Sequence, residues 1–182
     1  MSSTAPELPL RLAQRTARIE PFRVMELVKR ARDLERAGRS IIHLSIGEPD
    51  FTAAPGVVQA LKTAVDAGHT GYTAALGVQG LREAIARHAG QAWDADLHPS
   101  RIVVTAGASA ALLLACCALV DPGAQVLMAD PCYPCNRHFV SAFDGVPVTI
   151  PVGPTSRFQL DAATVDAHWS DAVRGVLLAT PS

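Results

Sequence analysis

Short apolar runs alternate with helical segments along the second half of the chain, and this alternation constrains the fold more than any other feature. Strands are predicted at "RIVVT", "QVLMA", "VPVTIPV" and "RGVLLAT", with helical stretches between them. Apolar strands joined by crossover helices are typical of a parallel sheet that is covered on both faces. The fold class is therefore α/β.

The last predicted strand runs into "TPS" without a crossover after it. The edge and the carboxyl end of such a strand need covering, so we expect the chain to be a fragment whose parallel sheet is truncated. With 182 residues, 49% of them hydrophobic, it is nevertheless long enough to bury a sizeable core.

The first half of the chain is predicted to be mostly helical. Residues 1–20 are expected to form an irregular arm. Apolar residues at helical spacing predict helices from Pro21 to Ala37, from Val57 to Val65 and around Leu81 to Ala89. The segment "SIIHLS" is predicted to be a short strand that leads into the loop "IGEPDFTAAPG".

The charge balance excludes several classes of partner. Sixteen basic and seventeen acidic residues give a net charge of −1, so no electrostatic field attracts the chain to nucleic acid or to an anionic membrane. No apolar run approaches the length that crosses a membrane. We therefore expect a cytoplasmic protein whose partner is a small molecule or another protein.

Small residues mark the passage from "RIVVT" into the next helix. Gly107, Ala108 and Ser109 open that helix. The first amides of a helix are unsatisfied and carry partial positive charge, and small side chains let an anion such as phosphate approach them. The alternative is that small residues here only let a crossover helix pack closely on its sheet.

Four segments together resemble the class I and II aminotransferases, which are pyridoxal-phosphate-dependent enzymes of fold type I. The segments are "SIGEPDF", "GYTAALGVQGLREAIA", "VTAGASAALLL" and "DPCYP", in the order and approximate spacing of that family. The resemblance extends from about Pro21 to the end of the chain. It implies a cofactor, pyridoxal 5'-phosphate, and as substrates an amino acid and a 2-oxo acid.

The resemblance also implies roles for five residues. Ala108 and Ser109 would bind the cofactor phosphate, and Tyr133 would stack on the pyridine ring. Tyr72 would reach across a homodimer interface to the phosphate of the second subunit's cofactor, and Gly47 would lie against the substrate carboxylate. The alternatives are a turn tyrosine between prolines for Tyr133, a packed surface tyrosine for Tyr72, and a loop glycine that needs a positive φ for Gly47.

By the same resemblance, residues 1–20 are an N-terminal arm, 21–54 a small-domain portion with its loop, and 55–182 the first part of the large cofactor-binding domain. The family's Schiff-base lysine, its partner for the pyridine nitrogen and its carboxylate-binding arginine are expected beyond this chain. Lys29 and Lys62, the two lysines present, lie on the polar faces of early helices. No catalytic residue is therefore assigned, and the chain alone is expected to be inactive.

Other functions stay open at this point. "CYPC" has the C-x-x-C spacing of thioredoxin-like redox proteins through Cys132 and Cys135, and His138 could join these cysteines in a zinc site. We prefer small buried cysteines beside a functional tyrosine, and we predict no metal site. The aminotransferase scaffold also occurs in C–S lyases and in the effector-sensing half of transcription regulators.

Overall fold

The computed structural model describes residues 11–180, which form two compact units. Of the described residues, 11–23 and 112–180 belong to the first unit, and 24–111 belong to the second. The boundary falls within one helix, because the second unit contains its start and the first unit contains its remainder.

The first unit is built on a parallel three-stranded sheet with the order β2-β1-β3. The strands are β1, Gln125–Asp130, β2, Val146–Pro151, and β3, Val173–Leu177. Helix α5, Cys135–Ser141, follows β1, and helix α6, Ala162–Ala167, precedes β3. The structure confirms the α/β class and the parallel pairing of the strands that the alternating pattern predicts.

The central strand β1 is buried on both faces, as expected for a parallel sheet with helices on each side. Val126 and Met128 point into a cluster that contains Phe139 and Val140. Leu127 points the opposite way, into a second cluster with Ile150 and Val173. Successive side chains of β1 thus point to opposite faces of the sheet and contribute to both clusters, and Leu127 and Met128 are fully buried.

The described part of the arm that precedes the first helix, from residue 11 onward, contains one short 3-10 turn, Gln14–Arg18. Arg15 and Arg18 both pair with Asp144, which stands in the turn before β2. The guanidinium of Arg15 also donates to the carbonyl of Ala142 at 3.2 Å. These contacts attach the described part of the arm to the first unit.

The second unit consists of helices and irregular segments. Its helices are α1, Arg23–Arg36, α2, Pro55–Asp66, α3, Gln79–Trp93, and the start of α4, Gly107–Leu119. Among its described residues, Val28 and Ala89 are the only buried apolar side chains. Most of the apolar side chains on α1 and α2 are therefore exposed or half-buried in this chain.

Two predicted strands are wrong. The segment "SIIHLS" has no regular structure, and its Ile42 and Leu44 are 85% and 90% exposed. The segment "RIVVT" begins in a 3-10 turn and continues as extended backbone whose Val104 amide donates to the Leu76 carbonyl at 3.0 Å. A strand needs a hydrogen-bonded neighbour, and residues 11–180 supply no paired strand to either segment.

The helices agree with the periodicity apart from their ends. Helix α5, one of the helical stretches predicted between the strands, ends at Ser141, and Phe143 packs against the core from the following turn. Helix α1 is followed by Gly38 with φ of +86°, the left-handed conformation in which helices commonly stop.

Candidate functional site

The start of α4 is a sharp turn held by two local hydrogen bonds. The amide of Gly107 donates to the carbonyl of Thr105 at 2.8 Å, and the Thr105 hydroxyl donates to the carbonyl of Gly107 at 2.9 Å. Gly107 has φ of +82°, which favours glycine over any other residue. A Cβ added to Gly107 would meet no atom within 4 Å, so the space beside this turn is open.

The next amides of α4 are available to a ligand. Neither the Ala108 amide nor the Ser109 amide donates a hydrogen bond within residues 11–180. Both residues are exposed, and the first turn of the 13-residue helix carries no acidic side chain. Two free amides, a hydroxyl and the positive end of the helix dipole therefore face open space, which suits a phosphate group.

The loop that carries Tyr72 packs on the extended segment that leads into α4. Gly77 has φ of +96°, and a Cβ placed on it would lie 2.6 Å from Cβ of Val104. Sequence reasoning missed this contact, although a glycine just ahead of α3 was a usable signal. Tyr72 itself is fully exposed. The alternative that it is a surface tyrosine packed against its own chain is therefore wrong for this chain.

Gly47 lies in the exposed loop after residues 41–46. Its φ falls outside the positive region, so the alternative that this loop needs a glycine for a positive φ is wrong. A Cβ at Gly47 would meet nothing within 4 Å. The residues on either side of it border an open cleft of about 350 Å³, lined by Val28, Arg32, His43, Ser45, Ile46 and Glu48.

Tyr133 follows the carboxyl end of the central strand β1. Its side chain is 47% exposed, and the ring of Phe22 meets it edge-on with centroids 6.0 Å apart. The Tyr133 carbonyl accepts from the Asn136 amide at 3.1 Å, which begins the turn into α5. A hydrogen bond with the Cys135 side chain raises the pKa of Tyr133, and burial adds to that increase.

The cysteines beside Tyr133 are free thiols. Cys132 and Cys135 are half-buried and pack against the core cluster below β1. Within residues 11–180, no group of three or more histidine, cysteine or acidic side chains is arranged to hold a metal ion. The zinc interpretation with His138 therefore has no geometric support.

The predicted cofactor-binding residues fall into both units. Ala108 and Ser109 are consecutive in the second unit, which also holds Gly47 and Tyr72, whereas Tyr133 belongs to the first. The two lysines, Lys29 in α1 and Lys62 in α2, are both exposed. In the described part of the chain, no helix is long and apolar enough to cross a membrane.

Comparison with known proteins gives one consistent family. The family model described as aminotransferase class I and II matches residues 39–182. A valine–pyruvate aminotransferase of Mycobacterium tuberculosis is 37% identical over 166 residues, or 91% of this chain and 42% of the relative. A (5-formylfuran-3-yl)methyl phosphate transaminase of Methanocaldococcus jannaschii is 32% identical over 94% of this chain and 44% of the relative.

Solved structures agree in fold. A crystal structure of an aminotransferase from Mycobacterium tuberculosis superposes with a TM-score of 0.88 at 37% identity, over 94% of this chain and 44% of that one. The aspartate aminotransferase from Rhizobium meliloti gives a TM-score of 0.89 at 32% identity, over 95% and 43%. The chain thus spans less than half the length of these relatives, and they give no support to the lyase, regulator or thioredoxin-like alternatives.

Proposed function

We propose, from the premise that this chain belongs to the aminotransferase class I and II family, that the intact protein is a pyridoxal 5'-phosphate-dependent aminotransferase. It would transfer an amino group between an amino acid and a 2-oxo acid. The observation that carries the proposal is the pair of free amides at Ala108 and Ser109, which open a helix where the family match predicts a phosphate site.

Ala108 and Ser109 are proposed to bind the cofactor phosphate. Their amides would donate to the phosphate oxygens, and the Ser109 hydroxyl would add a third donor. The left-handed Gly107 supports this role because it turns the chain sharply and leaves the approach open. The helix dipole stabilises the negative charge in the same place.

Tyr133 is proposed to stack on the pyridine ring. Its half-exposed ring and its edge contact with Phe22 support the role, because one ring face can be covered while the side chain stays oriented. The bound cofactor supplies an electron sink for charge that develops at the substrate α-carbon. Tyr133 would position that sink and exclude water from one side of it.

Gly47 is proposed to lie against the substrate carboxylate. Tyr72 is proposed to bind the phosphate of the cofactor in the second subunit of a homodimer. The full exposure of Tyr72 supports a contact made outside its own chain.

The domain organisation is also a proposal: an arm of residues 1–20, a small-domain portion of 21–54 and a cofactor-binding portion of 55–182. A cytoplasmic location and a role in amino acid metabolism stay predictions.

The residue that anchors the cofactor covalently is proposed to lie outside these 182 residues. Lys29 and Lys62 are exposed on helices α1 and α2, and among residues 11–180 neither has a partner that would activate its amine as a nucleophile. The chain alone is therefore expected to bind pyridoxal 5'-phosphate weakly and to turn over no amino acid.

The test is an assay of the intact protein with a panel of amino acids and 2-oxo acids. Formation of a new amino acid supports the proposal, whereas pyruvate with ammonia or a thiol as products would indicate a lyase. The 182-residue chain, treated with the cofactor and borohydride, should acquire no specific lysine adduct. A specific adduct on Lys29 or Lys62, together with turnover, would overturn the assignment of the anchor to another segment.

A further inference from the structure

Helix α2 has an apolar face that no other part of residues 11–180 covers. Val57, Leu61 and Val65 recur at four-residue spacing, so they lie on one side of the helix and form what we term the α2 face. Their exposed fractions are 61%, 65% and 53%, and no side chain of α2 is buried against the described residues. Because a helix in a protein is stabilised mainly by the packing of its apolar face, the α2 face needs a partner.

The opposite side of α2 is polar and needs no cover. It carries Gln59, Lys62, Thr63 and Asp66, all of them exposed. Polar and charged side chains are well solvated, whereas apolar side chains gain free energy when they leave water. The amphipathic pattern therefore directs one side of α2 to solvent and the α2 face to another surface.

The end of α2 fixes the direction in which the chain leaves the helix. Gly68 has φ of +75°, and its amide donates to the Val65 carbonyl at 2.9 Å. The His69 amide donates to the Ala64 carbonyl, also at 2.9 Å. These two hydrogen bonds around a left-handed glycine form a Schellman motif, which joins α2 to the loop of residues 69–78 through a defined turn.

Tyr72 lies in that loop, close along the chain to the α2 face. It follows Val65 by seven residues, so the two Cα atoms are at most about 25 Å apart. An interface of standard size buries about 800 Å² on each subunit, a patch roughly 30 Å across. A second subunit that receives the fully exposed Tyr72 therefore comes within reach of the α2 face.

We propose that the α2 face is part of the interface with a second copy of this chain and supports the reach of Tyr72 into that copy. The choice of a second copy as the occupant rests on the proposed function, in which Tyr72 binds the cofactor phosphate of the other subunit. A two-fold dimer uses the same patch on both subunits, so one substitution on the α2 face changes the interface at two places.

The primary test compares two charged variants of the intact protein by sedimentation equilibrium. Leu61→Glu places a carboxylate in the middle of the α2 face, whereas Gln59→Glu places the same group on the polar side of the same helix. A buried, unpaired charge is strongly unfavourable, so Leu61→Glu should raise the dissociation constant of the dimer at least about tenfold. Gln59→Glu should leave it unchanged. Equal dissociation constants for the two variants, or a monomeric parent, would overturn the proposal.

A cross-linking measurement keeps the proposal testable if Leu61→Glu does not fold. Leu61→benzoylphenylalanine keeps a large apolar side chain on the α2 face and adds a photoreactive group. Irradiation of the intact protein should give a product of twice the chain mass, and Gln59→benzoylphenylalanine should give none. A cross-link from position 61 to another segment of the same chain, or no cross-link at all, would overturn the choice of a second copy.

Cofactor affinity separates this inference from the proposed function. In the dissociated Leu61→Glu protein, the Kd for pyridoxal 5'-phosphate should rise roughly tenfold or more, the value of one hydrogen bond to a charged group. If the parent dimerises through the α2 face but binds no cofactor, the proposed function fails and the interface stands. If dissociation leaves the Kd unchanged, the support of Tyr72 by the α2 face is overturned.

Discussion

A methyl group on Gly77 would lie 2.6 Å from Cβ of Val104 and 2.8 Å from its Cγ2. This close approach, together with the hydrogen bond from the Val104 amide to the Leu76 carbonyl, holds the loop of residues 69–78 against the segment that leads into α4. Within the second unit, the loop of Tyr72 and the free amides of α4 thus share one support.

Gly77→Ala is expected to destabilise the chain for two reasons. A positive φ costs a non-glycine residue about 1–3 kcal/mol, and forcing a methyl group into Val104 adds about 1–3 kcal/mol of overpacking. Urea unfolding measures the change in the free energy of unfolding. Gly38→Ala is the matched control, because Gly38 also has a positive φ, +86°, but its added Cβ would meet nothing within 4 Å. Equal losses in the two variants would contradict a contribution from the Val104 contact.

Ser109→Ala is expected to weaken the binding of pyridoxal 5'-phosphate to the intact protein. A hydrogen bond to a charged group is worth about 1.5–3 kcal/mol, which corresponds to an increase in Kd of roughly ten- to hundredfold. An absorbance titration with pyridoxal, which lacks the phosphate, should show no such increase. Ser170→Ala, an exposed serine of the first unit, is the control. An equal increase in Kd for pyridoxal 5'-phosphate and for pyridoxal would rule out a phosphate contact by Ser109.

Tyr133→Ala is expected to raise the Kd for pyridoxal 5'-phosphate and for pyridoxal alike, because the ring stacks on the part that both ligands share. Loss of an aromatic pair costs about 0.5–1.5 kcal/mol beyond the buried area, so an increase of about tenfold is expected. Tyr133→Phe keeps the ring and its edge contact with Phe22, and it should bind nearly as tightly as the parent. If Tyr133→Phe raises the Kd as much as Tyr133→Ala does, the hydroxyl rather than the ring of Tyr133 is responsible for binding.

The first turn of α6 is expected to lose its cap in acid. The Asp161 carboxylate accepts from the Thr164 amide at 2.7 Å, and hydrogen bonding from the Thr164 side chain and then from its amide lowers the pKa of Asp161. A lowered folded-state pKa means that the cap stabilises the helix above the unfolded value of about 3.9 and is lost as the pH falls through the folded value. The protection factor of the Thr164 amide in hydrogen exchange, which corrects for the intrinsic pH dependence of exchange, should fall through that range. Asp161→Asn keeps an acceptor that does not ionise there, so its protection should show no such step.

Local features of the molecule were predictable from sequence. The helices α1 to α3 follow from apolar residues at helical spacing, and β1 to β3 follow from short apolar runs with crossovers between them. The exposed turn at Gly107 was also predictable, because unsatisfied amides are a property of any helix start and small residues leave them uncovered. The assignment of Gly47, Tyr72, Ala108, Ser109 and Tyr133 to a cofactor and substrate site stays a prediction.

Features that depend on distant residues were not predictable. The segments "SIIHLS" and "RIVVT" have the composition of strands, yet neither forms one, because strand formation depends on a hydrogen-bonded neighbour as well as on propensity. The contact of Gly77 with Val104 joins two loops that no local pattern relates.

The amino-acid sequence by itself determined which segments form helices, which runs favour strands, and that consecutive strands would lie parallel, since these follow from hydrogen bonding and periodicity over a few residues. Tertiary structure alone decided that β1 takes the central position, with Val146 and Val173 opposite Gln125 and an irregularity in register after it. The physical reason is that strand order and register are set by burial of apolar surface over the whole unit, and in this arrangement Leu127 and Met128 are buried in separate clusters.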